Sequence, residues 1–215
     1  MPNKEKTMNE LFHPDNPMLR FLSRLFDLMV LNVLFLVSCV PVITIGAAVS
    51  SAYQVIFRII EKKDPYIAKS YLKALKENFK QATILWGFIL CAIVCVNAAL
   101  YAIYRMPGKT YEFLQIPLFL VMFLIASIAV YAFPLLSRYQ NRLKQVLKNA
   151  VFMSLANIPA TVLITLFPLG IWYGAYAFEV RLSTFYSFLF LIGCSGVLYI
   201  NAYVLLRIFK KYETK

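Results

Sequence analysis

Five stretches of the chain carry no charged residue: 28–57, 81–104, 113–137, 149–178 and 183–206. Each exceeds the roughly 18 mostly apolar residues that mark a transmembrane helix. Two of them, 28–57 and 149–178, run to 30 residues. A helix of that length would measure about 45 Å, against a hydrocarbon core about 30 Å thick. These two runs therefore need an explanation beyond a single straight span.

In the first, VSCVPVITIGAAVSSA places Pro41, Thr44 and Gly46 near the centre. Proline stops a helix and glycine permits a tight backbone, so the pattern predicts two helices, 21–40 and 45–61, joined by a turn. A cleaved signal peptide fits poorly, because a long segment with Glu5, Glu10 and Asp15 precedes the run and apolar sequence resumes at 53–60. A re-entrant loop is the alternative to a double crossing. The second long run begins as the continuation of an amphipathic helix and supplies one span, 156–178, with Pro159 and Pro168 inside it. The prediction is an all-α polytopic membrane helix bundle of about six spans: 21–40, 45–61, 82–104, 114–137, 156–178 and 183–206.

Charge orients the bundle. Nineteen of the 22 basic residues fall in the N-terminal segment, the connections 58–80 and 138–148, and the tail, leaving Arg105, Lys109 and Arg181 elsewhere. With a double crossing at 21–61 all four basic clusters share one side, the cytoplasmic side by the positive-inside rule, and both termini lie there. The net charge of +12 is thus a topology signal, with no nucleic acid implied. At 61% hydrophobic residues, against roughly 45–50% in soluble domains, the chain leaves no room for a separate soluble domain.

A shift of 68 residues reveals a repeat: LKENFKQATIL at 75–85 matches LKQVLKNAVFM at 143–153. Each copy reads as an amphipathic helix, an outward span, a short loop and an inward span, a parallel repeat. The chain then divides into a cytoplasmic segment 1–20, a helical hairpin 21–61, repeats 62–138 and 139–206, and a tail 207–215, all within one integral membrane domain. In the first copy Ala68, Leu72, Leu75 and Phe79 form an apolar stripe, with Lys69, Lys73, Lys76 and Lys80 beside it. With Arg142, Lys144 and Lys148 of the second copy, these are candidates for contact with anionic headgroups or a cytoplasmic partner.

Catalytic chemistry is sparse. His13 is the one histidine, so neither a histidine-based zinc site nor a Ser-His-Asp triad can be assembled. The phosphate-binding, dinucleotide-binding and nucleophile-elbow glycine motifs do not occur. Cys39, Cys91, Cys95 and Cys194 all lie in apolar runs and read as packing residues. The expectation is a protein that is no enzyme, with no cofactor and no metal. Intramembrane polar residues carry more: Asp27, close to Arg24, and Asn32, Asn97, Asn157 and Asn201, which suit interhelical hydrogen bonds or a polar lining. No Asp or Glu lies at midplane depth in a predicted span, which disfavours ion-coupled transport.

LFDLMVLNVLFLVSCVPVITIGAA at 25–48 and ENFKQATIL at 77–85 resemble the YesL family, multi-pass membrane proteins of Gram-positive bacteria. The most specific parts are the span with Asn32, the Pro41-x-x-Thr44-Ile45-Gly46 turn, and Asn78-Phe79-Lys80-Gln81. The resemblance covers nearly the whole chain. It implies a plasma-membrane location and a setting near carbohydrate ABC transporters and polysaccharide use, with no catalytic residue set. The function expected is an accessory or component of oligosaccharide uptake working with ABC-transporter subunits or with itself. A membrane scaffold or signalling protein, or a stand-alone channel or carrier, are the alternatives. A topology reporter fused at Thr44 is expected to register outside; a cytoplasmic signal there would overturn the double crossing and the count of six spans.

Overall fold

The computed structural model describes residues 17–61, 63, 66–105, 110–139, 142–177 and 193–213. His13, Lys109, Arg181 and the first part of the sixth predicted span lie outside them. Among the described residues there is no strand. The helices are α1 (Pro17–Cys39), α2 (Ile45–Ile60), α3 (Ile67–Tyr104), α4 (Thr110–Arg138), α5 (Leu143–Ala156), α6 (Ile158–Ala177) and α7 (Cys194–Glu213), with a 3-10 turn at Val42–Thr44. By length and apolar composition α1, Val42–Ile60, α3 and α4 each qualify as a membrane span, and α5 with α6 forms a further, bent candidate. The chain is a helical membrane protein.

The α1–α2 turn is built by its own residues. Thr44 N–H donates to Pro41 O at 3.0 Å, and its hydroxyl reaches Pro41 O at 2.7 Å and Ser38 O at 2.5 Å. Ser38 O lies in the last turn of α1, where carbonyls lack helical partners, so Thr44 caps the helix it follows. Gly46 has a different task from the expected tight bend: it lies in the first turn of α2 and lets that helix touch α3. A Cβ there would meet Trp86 Cβ at 2.5 Å, Ala82 O at 2.6 Å and Phe133 Cε1 at 3.1 Å. Trp86 Nε1 fixes the same junction by donating to Val42 O at 2.8 Å. The turn is therefore held beside Trp86, 18 residues before the end of α3, or about 27 Å short of it along the axis.

α2 is the centre of the molecule. It packs against α1, α3, α4 and α7, and 61% of its apolar window is buried, against 17–22% for α1, α3 and α4. The buried face of α3 carries Ile67, Tyr71, Ala74, Ala82, Leu85 and Ile89. The apolar stripe read from the sequence, Ala68, Leu72, Leu75 and Phe79, lies one position along and mostly outward, with Leu72 and Phe79 exposed. Polar pairing helps select the inner face: Asn78 Nδ2 donates to Gln54 Oε1 of α2 at 2.6 Å.

The two segments aligned at an offset of 68 differ in shape. α3 continues unbroken from amphipathic segment into apolar span, whereas α5 and α6 meet at 99°. Position 159 is proline where the first copy has Cys91. Proline lacks an N–H and clashes with the carbonyl four residues back, so it starts a helix and does not continue one. Asn157 and Thr161 occupy the freed carbonyls: Asn157 Nδ2 donates to Met153 O at 3.1 Å, and the Thr161 hydroxyl reaches Ser154 O at 2.9 Å and Asn157 O at 3.0 Å.

Gly46→Ala should destabilise the bundle by about 1–3 kcal/mol through overpacking, despite the better helix propensity of alanine. Gly87→Ala, on the open face of α3 with nothing within 4 Å of the added carbon, should be neutral or mildly stabilising. Thermal unfolding of both variants in detergent checks the contrast; equal behaviour would show that the α2–α3 approach does not depend on Gly46.

Candidate functional site

Three helices, α2, α4 and α7, end at the same place, where Glu61, Arg138 and Glu213 meet. Helix C-termini carry partial negative charge, so a cation is favoured there. Arg138 supplies it from the last turn of α4. Its Nη1 donates to Glu61 Oε1 at 2.9 Å, its Nε to Glu213 Oε1 at 2.9 Å and its Nη2 to Glu213 Oε2 at 3.4 Å. The guanidinium carbon also lies 5.8 Å from the centroid of Phe57. Phe209 presents edge-on contacts to Phe57 and Tyr139, each with centroids 6.2 Å apart, and the Tyr139 hydroxyl donates to Glu213. Lys63 pairs with Glu61 at 2.6 Å, but its side chain is 68% exposed against 18% for Arg138. Water screens the lysine far more, which makes Arg138 the anchoring partner.

This cluster shapes the electrostatics at the end of α7. Hydrogen bonds from Arg138 and then Tyr139 hold the Glu213 carboxyl below its ordinary value. Burial first, and the neighbouring Glu213 carboxylate second, push the Tyr139 phenol up to about 12. Both groups are thus held in fixed states, an anion and a neutral donor, over the whole neutral range.

Beside the cluster opens a cavity of about 400 Å³, walled by Leu135 and Tyr139 from the end of α4, Asn149, Phe152 and Met153 from α5, and Tyr212 and Glu213 from α7. Asn157 Nδ2 donates to Tyr212 OH at 3.2 Å, and Phe152 stands edge-on to Tyr212 with centroids 6.2 Å apart, so α5 is tied to α7 across the cavity. The arrangement offers an apolar wall, several hydrogen-bonding groups and a charge-paired carboxylate. Its capacity is for binding.

The asparagines singled out from the sequence do not converge on one lining. Asn32 is buried between α1 and α7, accepting from Ser195 N–H at 2.9 Å, while Ser195 Oγ donates to Leu28 O at 2.9 Å. Asn201 is buried against the Tyr53 hydroxyl of α2. Asn97 is exposed and donates to Ile93 O of its own helix at 2.8 Å. Asn157 marks the α5–α6 break, and Asp27 is half-buried midway along α1, apart from the cavity. Lys69, Lys73, Lys76 and Lys80 are exposed on the side of α3 opposite its buried face, and Arg142, Lys144 and Lys148 are exposed on α5 and its N-cap. Glu61, Arg138, Tyr139, Tyr212 and Glu213 were not singled out. A usable signal was present: two of the few acidic residues stand at span ends, embedded in otherwise basic segments.

Residues 28–100 match the model of a family described as "Protein of unknown function, DUF624". No curated protein and no solved structure matches the chain. The matched segment holds the α1–α2 turn, Gly46, Trp86 and the Gln54–Asn78 pair, so it coincides with the best-packed part of the molecule. Arg138, Glu213 and the cavity lie beyond it.

Arg138→Gln should lower stability by about 1 kcal/mol near neutral pH, since it leaves Glu213 without its charged donor and Glu61 with only the exposed Lys63. A lowered carboxylate value means that the Glu213 contribution is complete above its ordinary 4.5 and is lost as pH falls through the lowered value. The wild-type protein should therefore lose stability below about pH 4.5. The variant should lose less over the same interval. Melting curves from neutral to acid pH check this; parallel pH profiles would remove the cluster as the source of the acid dependence.

Proposed function

We propose that this protein is an accessory subunit of a plasma-membrane assembly, docking a cytoplasmic partner through the lysine face of α3. The observation that carries the reading is the placement of Lys69, Lys73, Lys76 and Lys80. They stand on one exposed stripe, directly opposite the face that α3 buries, with exposed Leu72 and Phe79 alongside. From Lys69 to Lys80 the ladder extends about 16 Å along the axis.

Its support is rigid, because α3 is one continuous helix clamped to α2 by Gly46, Trp86 and the Gln54–Asn78 pair. A cationic ladder beside exposed leucine and phenylalanine suits an acidic amphipathic segment of a soluble subunit. The basic end would face the cytoplasm by the positive-inside rule. The YesL resemblance supports carbohydrate uptake as the setting, with an ABC-type importer as the partner. On this reading the protein carries out no catalysis and needs no cofactor.

Purification from the native membrane in mild detergent, followed by mass spectrometry, should recover importer permeases or their ATPase with the wild-type protein. Replacing the four lysines with glutamine should remove the partner while leaving insertion intact. Recovery of the protein alone, or undiminished capture by the glutamine variant, would overturn the docking reading and direct attention to flux through the protein itself.

A further inference from the structure

The cavity between α4, α5 and α7 has no occupant in the docking reading, yet its position and lining point to one. α6 carries no charged residue over 20 residues and has no polar face, as a helix in lipid does. α5 meets it at 99°. If α6 crosses the bilayer, α5 lies along the bilayer surface. The outward stripe of α5 fits that position: Lys144 and Lys148 are followed by exposed Phe152 and Leu155 on the same face, cations running directly into apolar side chains.

The cavity opens on the flank of this surface helix. Leu135, Phe152 and Met153 give it an apolar wall, and Asn149, Tyr139 and Tyr212 place amide and hydroxyl groups around it. Its volume of about 400 Å³ falls within the roughly 300–1,000 Å³ of small-molecule sites. The charge of the carboxylate at its edge is partly offset, because Arg138, shared with Glu61, engages both oxygens of Glu213. Apolar wall, polar rim and adjacent cations match one ligand class: an amphiphile with an anionic head.

We infer that this cavity binds an anionic phospholipid of the surrounding membrane, its phosphate held by Lys144 and Lys148 and part of an acyl chain in the cavity. The Asn149 amide and the Tyr212 hydroxyl, whose oxygen accepts from Asn157 and whose own O–H is not used in that bond, are the groups available to the ester carbonyls. This site is separate from the lysine ladder of α3 and stands whether or not a partner docks there.

The test reconstitutes the full-length protein in phosphatidylcholine vesicles containing phosphatidylglycerol, extracts it gently, and reads the retained lipid by native mass spectrometry. The wild type should keep phosphatidylglycerol in preference to phosphatidylcholine. The double variant Lys144→Gln, Lys148→Gln should lose that preference by about tenfold or more. Met153→Trp, which fills the cavity, should lose bound lipid of either kind; if it fails to fold, Asn149→Trp on the half-buried wall takes its place. Millimolar inorganic phosphate should not displace the lipid, since it lacks the acyl anchor. Equal retention of both lipids, an unchanged preference in the double variant, retention by the filled cavity, or displacement by phosphate alone would each overturn the assignment.

Discussion

The close approach of α2 to α3 is the constraint on which the bundle depends. Within a bilayer, burying one apolar side chain against another gains little over burying it in lipid, so helices associate through close backbone contact and hydrogen bonds. The segment GAAVSSA meets that demand: Gly46, Ala47, Ala48, Ser50, Ser51 and Ala52 are all buried. Small side chains let neighbours close in on α2 from several directions, and the indole of Trp86 sets how far along α3 the hairpin sits. Once α2 is fixed, Phe57 and Glu61 at its far end determine where α4 and α7 must finish.

A single proline separates the two repeats in shape. Up to Lys80 and Lys148 the copies follow the same pattern, and both lead from exposed lysines into apolar helix. Cys91 lets the first copy run straight on, whereas Pro159 forces the second to turn. The straight copy is covered by the α1–α2 hairpin. The bent copy leaves the space between α4, α5 and α7 that becomes the cavity. Two segments of similar sequence thus differ in what surrounds them: one is covered by the hairpin, the other borders the cavity.

Much of this was legible from the residues. Uncharged runs located the helices, and Pro41 and Thr44 located the turn, because these signals are local. The buried face of α3 was not, since two stripes of identical spacing lie one residue apart. The structure buries the less hydrophobic one, which carries Tyr71 and Ala74 and pairs Asn78 with Gln54 of α2. The reach of the hairpin was equally hidden, because it depends on a contact between Gly46 and residues about 40 positions away. The Arg138 cluster joins residues separated by 75 and 77 positions, and a count of charges by loop records Arg138 only as one more cation of a basic segment.

That same arginine couples the order of synthesis to the closing of the fold. Glu61 emerges first, Arg138 follows 77 residues later, and Glu213 arrives after a further 75. In the interval the guanidinium has one fixed carboxylate instead of two, and the wall of the cavity contributed by α7 is missing. The Glu213 carboxylate and the α7 wall of the cavity belong to the same helix end, so one contact of α7 completes both the ion cluster and the cavity.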